Sequence, residues 1–213
     1  MIKTIVFDFD GVIVDSVNVK TEAFATLFKH RGEKVVKKVV DYHLKNGGVS
    51  RSEKFKYYYK SILRESLSTE TYDRLCSDFA SLVVEEVVRA PFIVGAKEFL
   101  ENNSNKYRFY IVSGTPEEEL KRIVKEKQLT RYFAEAYGSP REKADLLSLV
   151  VKREQCVASE VIFIGDAATD YNAAKKVNVN FVYVGVKPHE YNCLAIKDLN
   201  SLELAINHVE NKQ

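Results

Sequence analysis

Four short apolar runs set the main constraint on this chain: residues 2–7, 107–112, 161–164 and 181–184. Each is rich in β-branched or aromatic residues, and each is closed by Asp, Ser or Gly. Runs of this length without a polar face are expected where strands are buried on both sides, as in parallel sheets. Residues 134–137 form a weaker candidate of the same kind. Helix-start signals lie between the runs. Thr115-Pro116-Glu117-Glu118 offers an N-cap, a proline at the first helical position and a capping-box acid, and Ser139-Pro140-Arg141-Glu142 repeats the pattern. Strands alternating with helices predict a doubly wound α/β core, a parallel sheet covered on both faces. Ligands of such sheets bind beyond the carboxyl ends of the strands. Asp8 and Asp10, Ser113 and Asp166 all follow strand candidates, so three polar sites converge on one sheet edge.

The stretch 16–90 differs, having no convincing buried strand. It reads as several helices, with a break at Asn46-Gly47-Gly48 and a helix start at Ser50-Arg51-Ser52-Glu53. Pro91 marks the return to the core. The predicted organisation is a core of residues 1–15 and 91–213, with 16–90 as an inserted helical cap. In the cap, Lys54-Phe55-Lys56-Tyr57-Tyr58-Tyr59-Lys60 mixes basic and aromatic groups. Phe55, Tyr58 and Tyr59 share one helical face, which predicts an aromatic cap core with the lysines turned outward.

Composition narrows the class of partner. The net charge is +2, from 32 Lys and Arg against 30 Asp and Glu, which gives no reason to expect nucleic acid or an anionic membrane. No window approaches the ~20 apolar residues of a membrane span. Cys76, Cys156 and Cys193 are widely spaced, with no CxxC pair, and read as reduced thiols of a cytoplasmic protein rather than zinc ligands. The first residues lack the long uncharged apolar stretch of a signal peptide.

The chemistry lies in the polar turns. In Asp8-Phe9-Asp10-Gly11-Val12 the strand ends and the chain turns at Gly11. One carboxylate can then attack phosphorus while the other serves the leaving oxygen and the incoming water as acid and base. Gly165-Asp166-Ala167-Ala168-Thr169-Asp170 brings further carboxylates beside Asp8. Such crowding is costly unless a cation neutralises it, and hard oxygen donors favour Mg²⁺. Asp170 is open to either direct ligation or helix capping. Ser113-Gly114-Thr115 offers a hydroxyl and backbone N–H groups for phosphate oxygens, and Lys143 a positive charge.

These four motifs, in this order and spacing, resemble those of the haloacid dehalogenase-like superfamily over about residues 1–185. The resemblance implies a Rossmann-like core, Asp8 as nucleophile and Asp10 as general acid/base. It implies Ser113, Gly114 and Lys143 at the phosphate. It also implies Mg²⁺ on the Asp8 carboxylate, the Asp10 carbonyl and Asp166, with Asp170 beside the site. A second aspartate at Asp10 resembles the phosphatase and phosphomutase branches. The segment from Leu44 to Arg51 is similar to the specificity loop of β-phosphoglucomutase-like members, in which an arginine after Val-Ser grips a distal phosphate. Arg51 takes that position, and Lys45 is a further cap candidate. The lysine motif departs from the Lys-Pro-x-Pro-Asp pattern of many mutase-like proteins. The expected function is therefore Mg²⁺-dependent hydrolysis of a small phosphorylated metabolite by a monomer or small homo-oligomer. A sugar phosphomutase and a non-enzymatic phospholigand-binding protein are the alternatives.

Overall fold

A computed structural model describes residues 1–211. Six parallel strands form one sheet: β1 (Thr4–Phe7), β2 (Arg108–Pro116), β3 (Phe133–Ser139), β4 (Val161–Gly165), β5 (Asn180–Val184) and β6 (Leu194–Ile196). Their spatial order is β3-β2-β1-β4-β5-β6. The chain winds outward from β1 in one direction, then restarts at β4 and winds in the other. The ends of β1 and β4 therefore flank the switch point, where such sheets open a crevice.

The apolar runs are continuous because both faces are covered. Ile5, Phe7, Phe109, Ile111, Ile162 and Ile164 belong to one buried cluster, and the alternating Val6, Tyr110, Val112, Val161 and Phe163 to another. Helices α5 (Ala96–Asn103), α6 (Glu117–Glu126), α7 (Lys143–Arg153), α8 (Ala168–Val177) and α9 (Leu202–Glu210) accompany the sheet. Both expected helix starts shift. Strand β2 runs on to Pro116, α6 begins at Glu117 and Thr115 does not cap it. Strand β3 runs on to Ser139, paired with Pro116, and α7 begins at Lys143. In both places the sheet ladder claims residues that local propensity assigns to a helix. The edge strand β6 escapes the sequence reading because it is only 3 residues long.

Between β1 and α5 the chain forms α1 (Val17–Phe28), α2 (Glu33–Lys45), α3 (Arg51–Tyr57) with a π-helical extension over Tyr58–Leu63, and α4 (Thr69–Arg89). The predicted break and restart are present. Ser50 caps α3, its side chain accepting from the Glu53 amide at 3.3 Å. Phe24 is the hub of an aromatic core, with ring centroids 5.7 Å from Phe55, 5.6 Å from Tyr58 and 4.5 Å from Phe79.

One expectation fails here. Lys56 and Lys60 face outward, but Lys54 is buried. Arg51, Lys54 and Tyr58 lie three and seven positions along one helical stripe, so Lys54 turns inward with Tyr58. The chain enters and leaves this helical unit side by side. Asp15 N donates to the Pro91 carbonyl at 2.9 Å, and Ile93 N to the Ile13 carbonyl at 3.0 Å. We propose the cap as residues 16–90, bounded by this crossing. No helix among the described residues is long and apolar enough to cross a membrane.

Candidate active site

Asp8 stands one residue beyond β1. Its amide continues the ladder by donating to the Ile164 carbonyl at 2.9 Å, which fixes the side chain between β1 and β4. One carboxylate oxygen accepts from Phe9 N at 2.7 Å, and the other lies 3.0 Å from Lys143 Nζ. Lys143 opens α7 and also donates to Asp170 Oδ1 at 2.6 Å. Asp170 Oδ2 accepts the Ala167 amide at 3.1 Å, so this residue caps α8 while facing the site.

Asp8, Asp166 and Asp170 each offer an oxygen, all within 4.8 Å of one another. Three carboxylates against one ammonium leave two negative charges in a buried place. The consequence falls on the carboxyl groups. Burial, then the charges of Asp8 and Asp170, push Asp166 up to about 8. Burial and Asp8 push Asp170 up to about 7, even though Lys143 opposes the rise. Lys143 itself is held firmly protonated, because Asp170 and Asp8 outweigh its burial. An all-oxygen donor set with two uncompensated charges fits a hard divalent cation. Gly11 makes room for this cluster. Its φ is +83°, and a Cβ there would lie 2.9 Å from Asp166 Cγ.

Asp10 is held apart from the cluster. Its Oδ1 accepts from Ser16 Oγ at 2.6 Å, and its Oδ2 from Thr115 Oγ1 at 2.9 Å. Lys20 forms an ion pair with the same Oδ2 and reaches Thr115 Oγ1 at 2.9 Å. Burial alone would raise the Asp10 pKa, but the Lys20 charge and the three hydrogen bonds outweigh it and hold the group below its ordinary value. Ser113 is buried within β2, its hydroxyl accepting from Thr115 N at 3.2 Å. Gly114 is a point of close approach, since a Cβ there would lie 2.6 Å from the Gly48 carbonyl of the helical unit.

A cleft of about 270 Å³ opens between core and helices, bringing Asp8, Asp10, Ser113 and Asp166 together with Arg51 and Lys54. Arg51 is not free within it. Its guanidinium is ion-paired with Glu119 and donates to the Cys76 carbonyl at 3.2 Å, over the Phe79 ring. Lys45 is exposed at the end of α2, along the cleft lining. Sequence reasoning missed Lys20, Ser16 and Thr115 around Asp10, Glu119 opposite Arg51, and the inward turn of Lys54. Ser16 and Lys20 are four apart at the start of α1, a spacing that places both over the Asp8–Asp10 turn.

A family profile described as haloacid dehalogenase-like hydrolase matches residues 5–184. A phosphorylated carbohydrates phosphatase from Thermotoga maritima is 22% identical over 191 residues, covering 85% of this chain and 84% of that one. Among solved structures, β-phosphoglucomutase from Clostridium difficile superposes with a TM-score of 0.83 at 19% identity, over 100% of this chain and 98% of the other. A haloacid dehalogenase-like family hydrolase from Streptococcus pneumoniae gives 0.69 at 22% identity, over 95% and 98%. With the profile spanning β1 to β5 and the polar turns gathered at one sheet edge, this chain belongs to the haloacid dehalogenase-like hydrolase family.

Proposed function

We propose that the protein is a Mg²⁺-dependent, cytoplasmic phosphatase that hydrolyses a small phosphomonoester through an aspartyl phosphate on Asp8. The observation that carries this reading is the separation of the two aspartates. Asp8 sits in the anionic, lysine-buttressed cluster, whereas Asp10 is held beside it by Lys20, Ser16 and Thr115. A nucleophile and an acid/base need such different surroundings.

In the first step an Asp8 oxygen bonds to phosphorus, the ester P–O bond breaks, and the departing alkoxide takes a proton from Asp10, which takes up that proton as the anionic phosphate arrives beside it. In the second step Asp10 takes a proton from water, whose oxygen bonds to phosphorus as the Asp8–phosphorus bond breaks. Asp8, Asp166 and the Asp10 carbonyl would hold Mg²⁺, with Asp170 beside them, and the ion would offset the repulsion between Asp8 and the phosphate. Ser113, the Gly114 amide and Lys143 would receive the phosphate oxygens. The Arg51–Glu119 pair favours a phosphatase over a mutase, because the arginine proposed to grip a distal phosphate already has a carboxylate.

The test is phosphate release from a panel of phosphorylated sugars and sugar acids, with Mg²⁺ and with EDTA. Release with Mg²⁺ that EDTA abolishes and added Mg²⁺ restores is the expected result; release indifferent to EDTA sinks the metal assignment.

Lys20 is a positioning residue for Asp10 in this scheme. Lys20→Met should lower kcat about tenfold, a part of what a positioned acid/base contributes. Because Lys20 depresses the Asp10 pKa, its removal lets Asp10 protonate at higher pH. The base form is then lost earlier on acidification, and the acid limb of the kcat profile moves upward. An unmoved limb would mean that Lys20 has no hold on Asp10.

A further inference from the structure

Lys54 is the buried cation that the proposed chemistry leaves unused. It is 3% exposed, lines the cleft, and has the Phe24 ring 5.7 Å from its Nζ. Around it, Lys20 holds Asp10, Lys143 holds Asp8 and Asp170, and Arg51 holds Glu119. Among the described residues Lys54 meets no carboxylate. Its polar partner is the ring of His43, Nζ to Nδ1 at 2.9 Å. A lysine donating to Nδ1 puts the ring proton on Nε2, and that atom is buried without a hydrogen-bond partner. The Val17 backbone lies close enough to favour protonation of the ring but does not meet hydrogen-bond geometry. His43 lines the same cleft. Lys54 thus lines the cleft as an ammonium steadied by a neutral ring, with no anion among the described residues to receive its charge.

Such a pair is expensive. An uncompensated buried charge costs several kcal/mol, and an unmet donor adds to that. Packing does not call for it, since the Phe24 ring lies beside it and Phe79, Val17 and Val83 line the same cleft. The cost is offset when the counter-charge arrives with the ligand.

We propose that Lys54, held in place by His43, binds a carboxylate on the leaving-group side of the substrate, so that the phosphomonoester hydrolysed is a phosphorylated hydroxy acid or sugar acid. This rests on the phosphatase reading above. Charge matching selects a carboxylate over a second phosphate. Burial, then the charge of Lys54, drive His43 down to about 3, so it stays neutral and the subsite carries one positive charge. A carboxylate cancels that charge, whereas a phosphate dianion would leave negative charge buried in the cleft. Burial and the nearby Lys20 bring Lys54 down to about 7, and an arriving carboxylate would restore its full charge.

Two matched pairs of esters test this: 3-phosphoglycerate against glycerol 3-phosphate, and 6-phosphogluconate against sorbitol 6-phosphate. Within each pair only the far end changes, from carboxylate to hydroxymethyl. For the wild type, kcat/KM should favour the acid at least about tenfold in one pair, the value of a charge-assisted hydrogen bond. In Lys54→Met that ratio should fall to about one, through KM for the acid. The wild-type comparison stands whether or not the variant folds. Ratios near one in both wild-type pairs, a preference that survives Lys54→Met, or faster turnover of fructose 1,6-bisphosphate than of either acid would each overturn the carboxylate assignment while leaving the phosphatase intact. No phosphate from any ester with Mg²⁺ would overturn the phosphatase reading, and this assignment with it.

Discussion

Asp8→Asn should lower phosphate release by at least about 10⁴-fold while leaving the protein folded, because deleting a nucleophile removes the reaction path rather than one contribution to it. The exchange is isosteric, and the amide oxygen can still accept from Phe9 N as the carboxylate does at 2.7 Å. Lys143 keeps Asp170 at 2.6 Å. Removing one of three crowded carboxylates also relieves the Asp8 repulsion that adds to burial in pushing Asp166 up to about 8, so the metal-free variant should melt no lower than the wild type. Rapid acid quench of the wild type during turnover should show a phosphoryl group on the protein, mapping to Asp8 and missing from the variant. Retention of more than about 1% of the wild-type rate would point to another nucleophile, since loss of a covalent catalyst leaves far less than this.

The core strands were legible because burial on both faces writes an unbroken apolar run, and the polar turns at Asp8, Ser113 and Asp166 because each sits where such a run stops. Asp8, Asp166, Asp170 and Lys143 converge as the order of strands requires, with β1 and β4 adjacent. What stayed hidden depends on partners far apart in sequence. Thr115 carries the local signature of a helix cap, yet its hydroxyl goes to Asp10, 105 positions away. Lys20 looks like an ordinary helical surface lysine until the fold places Asp10 beneath it. Arg51 was visible as a cap arginine, but its engagement with Glu119 follows only from how α3 meets the start of α6. By sequence Lys54 reads as outward-facing, because lysines usually are. Its place on the Arg51–Tyr58 stripe overrides that habit, and this kind of break between local preference and tertiary position tends to mark function.

That break has a measurable thermodynamic sign. Lys54→Met should raise the melting temperature, although it is expected to abolish the preference for acidic substrates. In the folded protein the Lys54 pKa is about 7, below its ordinary 10.5, so the unfolded chain binds this proton more tightly over that interval. The burial cost is therefore complete at and below about pH 7, fades as pH rises, and is gone above 10.5. Methionine matches the length of the lysine stem and suits the aromatic wall of Phe24 and Phe79. Part of the gain is lost because His43 Nδ1 gives up its 2.9 Å donor. A net stabilisation of about 2 kcal/mol is expected, in keeping with replacement of buried charges by apolar groups. For a chain of this size that corresponds to roughly 4–8 °C near pH 6.5. At pH 10.5 the gain should shrink towards zero, because neither state then carries much of the charge. Melting curves of both proteins at the two pH values decide the matter. A lower melting temperature for Lys54→Met at pH 6.5 would make Lys54 a structural residue, whereas a higher one with the acid preference gone would mark a charge kept at the expense of stability for the ligand it meets.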